Sequence, residues 1–270
     1  MLVIGLAYPS ASQTGGDAVT VRVDRWLEVQ QLQLPVTYFN NSTSRTARRG
    51  DRLKAVGEGL ITGADAAATL AVDTGIGTVE MAADTHLEVA GLSTTASGGR
   101  ITQLQVDRGR VRLQVRPFTN PDTRFEIQTP AGVSGVRGTE FGVIVFPDGK
   151  MGVATLEGNV ATEAQGQAVE VPAGFQNVTI PGEPPSEPVP FTNEPRLDYQ
   201  AERVVRRGIR RIIVNGQVDP TSSVLIKGEP QAIDRDGKFS LLLPAPNRLR
   251  LAITVVTPLG QTQTYDLDLI

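Results

Sequence analysis

Few residues in this chain have types and spacings suited to chemistry. It holds one histidine, His86, and no cysteine, which removes thiolate nucleophiles and every thiolate metal site together. His86 stands in the strand-like run Asp84-Thr-His-Leu87 and has no second imidazole to complete a zinc site, so it reads as a surface or strand-end histidine. Asp234-Arg-Asp-Gly237 begins with the spacing of a calcium loop but lacks the distal glutamate. It reads instead as a hairpin turn ahead of Phe239. Glycoside hydrolysis needs two carboxylates at a set separation, and 29 acidic residues single out no pair. Asn40 and Asn177 lie in glycosylation sequons, which recur by chance. Six arginines between Arg196 and Arg211, against Asp198 and Glu202, form the one strong charge cluster. It reads as a solvated linker, or more sharply as a site attracted to an anionic surface or polymer. No catalytic, cofactor-binding or metal-binding residue is assigned, and the chain reads as a non-enzyme.

The elements that would position such residues are strands. Of the 270 residues, 46 are glycine or proline, about 17 % against an average near 12 %, which favours turns over long helices. A 40 % hydrophobic content suffices for a folded core, while the net charge of −3 and the 5 % aromatic content speak against a nucleic-acid partner. Val111, Leu113 and Val115 alternate with Arg110, Arg112, Gln114 and Arg116, which is the period of a one-sided sheet. Ala68-Leu70-Val72, Leu87-Val89 and Leu104-Val106 repeat that pattern. Glycine-bearing turns every 8–16 residues or so leave little room for crossover helices.

Four segments follow. Residues 1–16 hold the apolar run Met1–Tyr8 and small residues Pro9–Ser12, resembling the end of a secretory signal without its charged beginning, or else a first buried strand. No apolar stretch approaches the roughly 20 residues of a transmembrane helix. Residues 17–180 form a first β domain. Residues 181–208 form a linker: six prolines between Pro181 and Pro195 set a semi-rigid spacer that cannot join a sheet, and Leu197–Ile209 carries a helical period, with Leu197, Ala201, Val204, Val205 and Ile209 on one face. Residues 209–270 form a small sandwich, with Phe239, Leu241 and Leu243 on one face and Leu249, Leu251, Ile253 and Val255 on another.

The stretch Phe125–Val145, FEIQTPAGVSGVRGTEFGVIV, resembles the FecR family in its strand, Thr-Pro, small-residue loop, Val-x-Gly-Thr-x-Phe and second strand. Leu60-Ile-Thr-Gly63 with Ala68-Thr-Leu70, Asp84-Thr-His-Leu87, Val153–Val160 and Val169–Phe175 resemble further family steps, so the likeness runs over about residues 45–180. Val214–Val256, with Gly216-Gln-Val-Asp-Pro220 and Ile233-Asp-Arg-Asp-Gly237, resembles immunoglobulin-like modules related to the glucodextranase B domain. The resemblance implies an all-β chain: a FecR-like two-layer β-sandwich or solenoid-like domain, then a small Ig-like β-sandwich. Sensor members of the family add a sigma-factor-binding domain and a transmembrane helix, neither of which is found in this sequence. What carries over is the β module and an extracytoplasmic, periplasmic location. In residue terms the Gly-Thr motif reads as a fold-defining turn, with Arg137 and Glu140 as possible contact residues.

The expected function is a non-enzymatic interaction or sensing module of the bacterial cell envelope with a protein partner, through exposed strand edges. Two alternatives stand beside it. One is a periplasmic component of ferric-citrate-type iron signalling working with a separate membrane partner. The other is a carbohydrate-binding or carbohydrate-active protein, weakened by a lone tryptophan, Trp26, far in sequence from the C-terminal module.

Overall fold

A computed structural model describes residues 25–246 and 249–269. The expected signal segment within residues 1–16 lies outside the described residues. The described chain is all-β with no helix. In the first sandwich the strands are β1 (Leu27–Gln33), β2 (Val36–Phe39), β3 (Ser44–Thr46), β4 (Arg52–Leu53), β5 (Gly59–Thr62), β6 (Ala67–Val72), β7 (Gly77–Met81), β8 (His86–Thr94) and β9 (Arg100–Val115). They continue with β10 (Arg124–Gln128), β11 (Val133–Val136), β12 (Glu140–Val145), β13 (Met151–Glu157), β14 (Asn159–Ala164), β15 (Gln167–Pro172), β16 (Phe175–Thr179) and β17 (Val189–Pro190).

Pairing sorts these strands into two layers. The front sheet runs β4-β1-β6-β7-β9-β12-β13-β16-β17. The back sheet runs β3-β2-β5-β8-β9-β10-β11-β14-β15, and within it only β9 and β10 are parallel. β9 belongs to both. Its first half pairs β8 and β10, and its second half pairs β7 and β12. The inward phase changes between the halves: Leu104 and Val106 face the core in the first, Val111 and Leu113 in the second. The shift falls at Gly109, where φ is +92°. A Cβ there would stand 2.4 Å from the Thr85 hydroxyl, so the corner demands glycine on two counts.

The second sandwich consists of β18 (Asp198–Arg206), β19 (Ile209–Gln217), β20 (Ser223–Ile226), β21 (Glu229–Gln231), β22 (Lys238–Pro244), β23 (Leu249–Val256) and β24 (Thr262–Leu269). β18-β19-β22 form one layer and β21-β20-β23-β24 the other. Val214, Phe239, Ile253, Val255 and Leu267 fill the space between them. The expected helix over Leu197–Ile209 is therefore corrected to a strand. Residues 198–206 pair β19 over nine positions, and the cross-strand partner decides where the local period is ambiguous.

The spacer reading is corrected as well. Val189 and Pro190 join the front sheet beside Gln176 and Phe175; proline is tolerated there because the strand is an edge. Phe191 is buried with Ala154 and Leu259, so the proline-rich segment straps the two sandwiches together instead of holding them apart. β12 shows the junction residue by residue. Phe141, Val143 and Val145 enter the first core, while Ile144 and the following Phe146 enter the second. Burial on both faces is why this strand reads as a continuous apolar run, FGVIVF.

Candidate recognition groove

The outer face of the front sheet is divided between two neighbours. Over β12, β13 and β16 the second sandwich is seated. A Cβ on Gly142 would stand 2.5 Å from the Pro258 carbonyl oxygen, and one on Gly152 would meet Thr221 at 3.1 Å. The Gln176 amide donates to Asp219 and accepts from the Thr221 hydroxyl. Lys150, 2 % exposed, donates to the Ile233 and Asp234 carbonyls at 3.2 and 3.0 Å and lies over the Phe146 ring.

The remainder of that face is open. Cross-strand register places Arg52, Glu28, Ala71, Thr78, Gln114, Glu140 and Glu157 in one row over six further strands from β4. Side chains alternate across a strand, so the row shares the outward face. With Trp26, Asp73 and Arg116 it lines a groove of about 880 Å³. Three of its carboxylates, Glu28, Asp73 and Glu140, are held by arginines. Arg52 Nε donates to Glu28 at 2.7 Å while the guanidinium covers the Trp26 ring at 4.5 Å. Asp73 accepts from Arg25 at 2.7 Å in a buried pair, and its other oxygen accepts the Trp26 backbone N–H at 3.1 Å, which fixes where the indole begins. Partial burial pushes the Glu140 carboxyl up, but hydrogen bonds from Arg112 and Gln114 together with the Arg112 charge outweigh it and hold the group below its ordinary range. A carboxylate held ionised in this way is a poor proton donor and a good fixed charge.

The Gly-Thr motif closes one end of the groove. Gly138 has φ of +89°, and a Cβ there would stand 2.5 Å from the Pro117 Cα. Thr139 is buried, donates its hydroxyl to the Asn159 carbonyl at 3.0 Å, and its carbonyl accepts the Val115 N–H at 3.0 Å. The motif is thus a junction of β9, β12 and β14, as a turn reading requires. Of its two candidate contact residues, Glu140 lies in the groove floor, whereas exposed Arg137 donates to the Pro121 carbonyl at 2.8 Å outside it.

The other motif threonines also carry structure. The Thr85 backbone N–H donates to the Thr62 hydroxyl at 2.9 Å, that hydroxyl donates to the Ala82 carbonyl at 2.5 Å, and the Arg110 N–H donates to the Thr85 hydroxyl at 3.0 Å. These bonds stitch β5 and β8 to the corner of β9.

His86 lies away from the groove, with Nδ1 2.7 Å from Asp107 and its ring stacked on Phe39 at 5.0 Å. Asp234 accepts the Asp236 and Lys238 backbone N–H groups at 2.9 and 2.8 Å, the arrangement of a turn. Sequence reasoning missed Glu28, Arg52, Asp73 and the indole above them. A one-sided row across strands distant in sequence leaves no local signal, because only the register aligns it.

No curated protein matches this sequence. Two crystal structures described as "a putative anti-sigma factor from Parabacteroides distasonis ATCC 8503", at 1.65 and 2.50 Å, are similar to it at 15 % and 17 % identity, with TM-scores of 0.39 and 0.35. The similarity covers 48 % and 43 % of this chain and 57 % and 51 % of those chains, so this chain spans little more than half of their length. The family described as FecR protein matches residues 59–161, from the start of β5 into β14, and the central part of the first sandwich is FecR-like.

Proposed function

We propose that this chain is a non-enzymatic, exported FecR-like interaction or sensing module that works at the periplasmic face of a bacterial envelope and binds a protein partner in the front-sheet groove. The observation that carries this reading is the row from Arg52 to Glu157: an open floor of charged and polar side chains in register, suited to reading a polar extended segment. Strand addition to the first sandwich is the less favoured mode. Its edge strands β4, β17 and β3 are two, two and three residues long, and only β15, with six, offers a usable edge. A sugar platform is also disfavoured, since Arg52 occupies one face of the Trp26 indole. The seven strands of the second module in layers of three and four support an immunoglobulin-like reading for it.

Photo-crosslinking side chains placed at Thr78 and Gln114 in native envelopes test the proposal, with Glu163 on the back sheet as control. Capture of the same protein from both groove positions and not from Glu163 is expected. Absence of position-specific capture, or turnover of a substrate panel that Glu140→Gln abolishes, would overturn it.

A further inference from the structure

A second surface lies at the far end of the second sandwich, where the arginine cluster of the sequence is found. β22 stops pairing β19 at Pro244 and Arg211. Beyond that point β18 and β19 continue alone through Val205↔Arg210 and Arg206↔Ile209 to the turn Arg207-Gly208, whose φ values are +52° and +75°. The result is a two-stranded ribbon that pairs with no third strand among the described residues.

Its composition is unusual for a free tip. Val205 is 69 % exposed and Ile209 54 %, and they lie on opposite faces of the ribbon. Arg203, Arg207 and Arg210 are exposed and Arg211 half-buried, and none of the four forms an ion pair among the described residues. Glu202 is the nearest carboxylate along β18. Asp266 and Asp268 face outward from the opposite layer. A chain of net charge −3 thus concentrates unpaired positive charge around two exposed aliphatic side chains.

We propose that this ribbon docks on an anionic phospholipid surface, with the arginines bonding lipid phosphates and Val205 and Ile209 entering the headgroup–acyl boundary. Guanidinium groups match phosphate oxygens bidentately, and aliphatic side chains among cations suit the bilayer interface. Residues 203–211 include no aromatic side chain on which bases would stack, which disfavours a nucleic acid. An acidic protein would meet the arginines but leave both aliphatic faces in water. The inference is independent of the groove.

The test is co-sedimentation of the full chain with vesicles of phosphatidylcholine alone and of phosphatidylcholine mixed equally with phosphatidylglycerol, in low and high salt. Binding to the anionic vesicles that weakens with salt is expected. Arg207→Glu with Arg210→Glu should weaken it by at least about 25-fold, taking roughly fivefold per arginine. Val205→Ser with Ile209→Ser, which removes the aliphatic groups without changing the charge, should weaken it as well while leaving heparin binding unchanged. Gln167→Ala, a neutral change on exposed β15 of the back sheet, should leave vesicle binding untouched. Equal binding to neutral vesicles, no binding to anionic ones, or indifference to the arginine reversals would overturn the proposal. An unchanged affinity in the aliphatic double variant would replace the lipid by a soluble polyanion. Thermal unfolding of each variant shows that the exposed substitutions leave the fold intact.

Discussion

Ile144→Ala separates two pictures of the chain, one with a shared core and one with tethered bodies. Ile144 is 3 % exposed and sits on a strand of the first sandwich, yet its side chain lies in the core of the second. Truncation removes buried methyl and methylene groups and leaves a cavity between β12 and the second sandwich, a change that costs about 2–5 kcal/mol. At roughly 2–4 °C per kcal/mol for a chain of this size, the unfolding midpoint should fall by about 4–20 °C. The only tryptophan of the chain, Trp26, lies in the first sandwich, so its fluorescence reports that body alone. Far-UV circular dichroism follows both. If the sandwiches unfold together, Ile144→Ala lowers the Trp26 transition as much as the dichroism transition. A Trp26 transition that stays in place while part of the dichroism signal melts early would refute the shared core, and so would a total cost below about 1 kcal/mol.

Three other perturbations follow from the same packing. Gly109→Ala puts a Cβ 2.4 Å from the Thr85 hydroxyl at a left-handed φ and should cost at least about 2 kcal/mol in denaturant titration. Burial pushes the Lys150 ammonium below its ordinary range, so the unfolded chain binds more protons than the folded one between the folded pKa and 10.5. Stability should rise with pH through that window, and the difference between wild type and Lys150→Met, in which other titrating groups cancel, should show the slope. Burial raises the Asp219 carboxyl even though the Gln176 amide donates to it. Its contribution is present below the unfolded pKa and fades as pH rises through the raised folded value. Asp219→Asn keeps an acceptor without the charge, and at pH 7 it should equal or exceed wild type in denaturation midpoint.

The alternation at Val111, Leu113 and Val115 made β9 legible, but not its corner. A phase change from even to odd inward residues appears in sequence only as Gly109 between two regular patterns. The Thr-Pro and Gly-Thr steps were readable as turns, because proline and glycine act on their own backbone. Their threonine hydroxyls were not, since the bonds by which Thr62, Thr85 and Thr139 join separate strands reach 20 or more residues along the chain. Leu197–Ile209 misled for the opposite reason. A free ribbon tip exposes both faces, so Val204 and Val205 stand together without the alternation that burial imposes on β23. Six prolines signalled an extended path through residues 181–195. What they could not signal is that Phe191 anchors that path over Ala154.

The seat of the second sandwich also sets the limits of the groove, which ties the two halves of the molecule to one function. Register aligns Glu80, Arg112, Gly142 and Ala154 in the row next to the groove floor. Arg112 holds Glu140 from that row, and Gly142 in the same row takes the Pro258 carbonyl. Gly142→Ala forces this backbone apart by several tenths of an ångström and should cost about 1–3 kcal/mol. Its more telling effect is local. Hydrogen exchange should quicken at residues 255–260 and along Arg110–Gln114, and capture from the Gln114 probe should fall, while β2 and β5 exchange as before. Faster exchange confined to residues 255–260, with capture from Gln114 intact, would mean that the second sandwich merely rests on the sheet and plays no part in shaping what the groove binds.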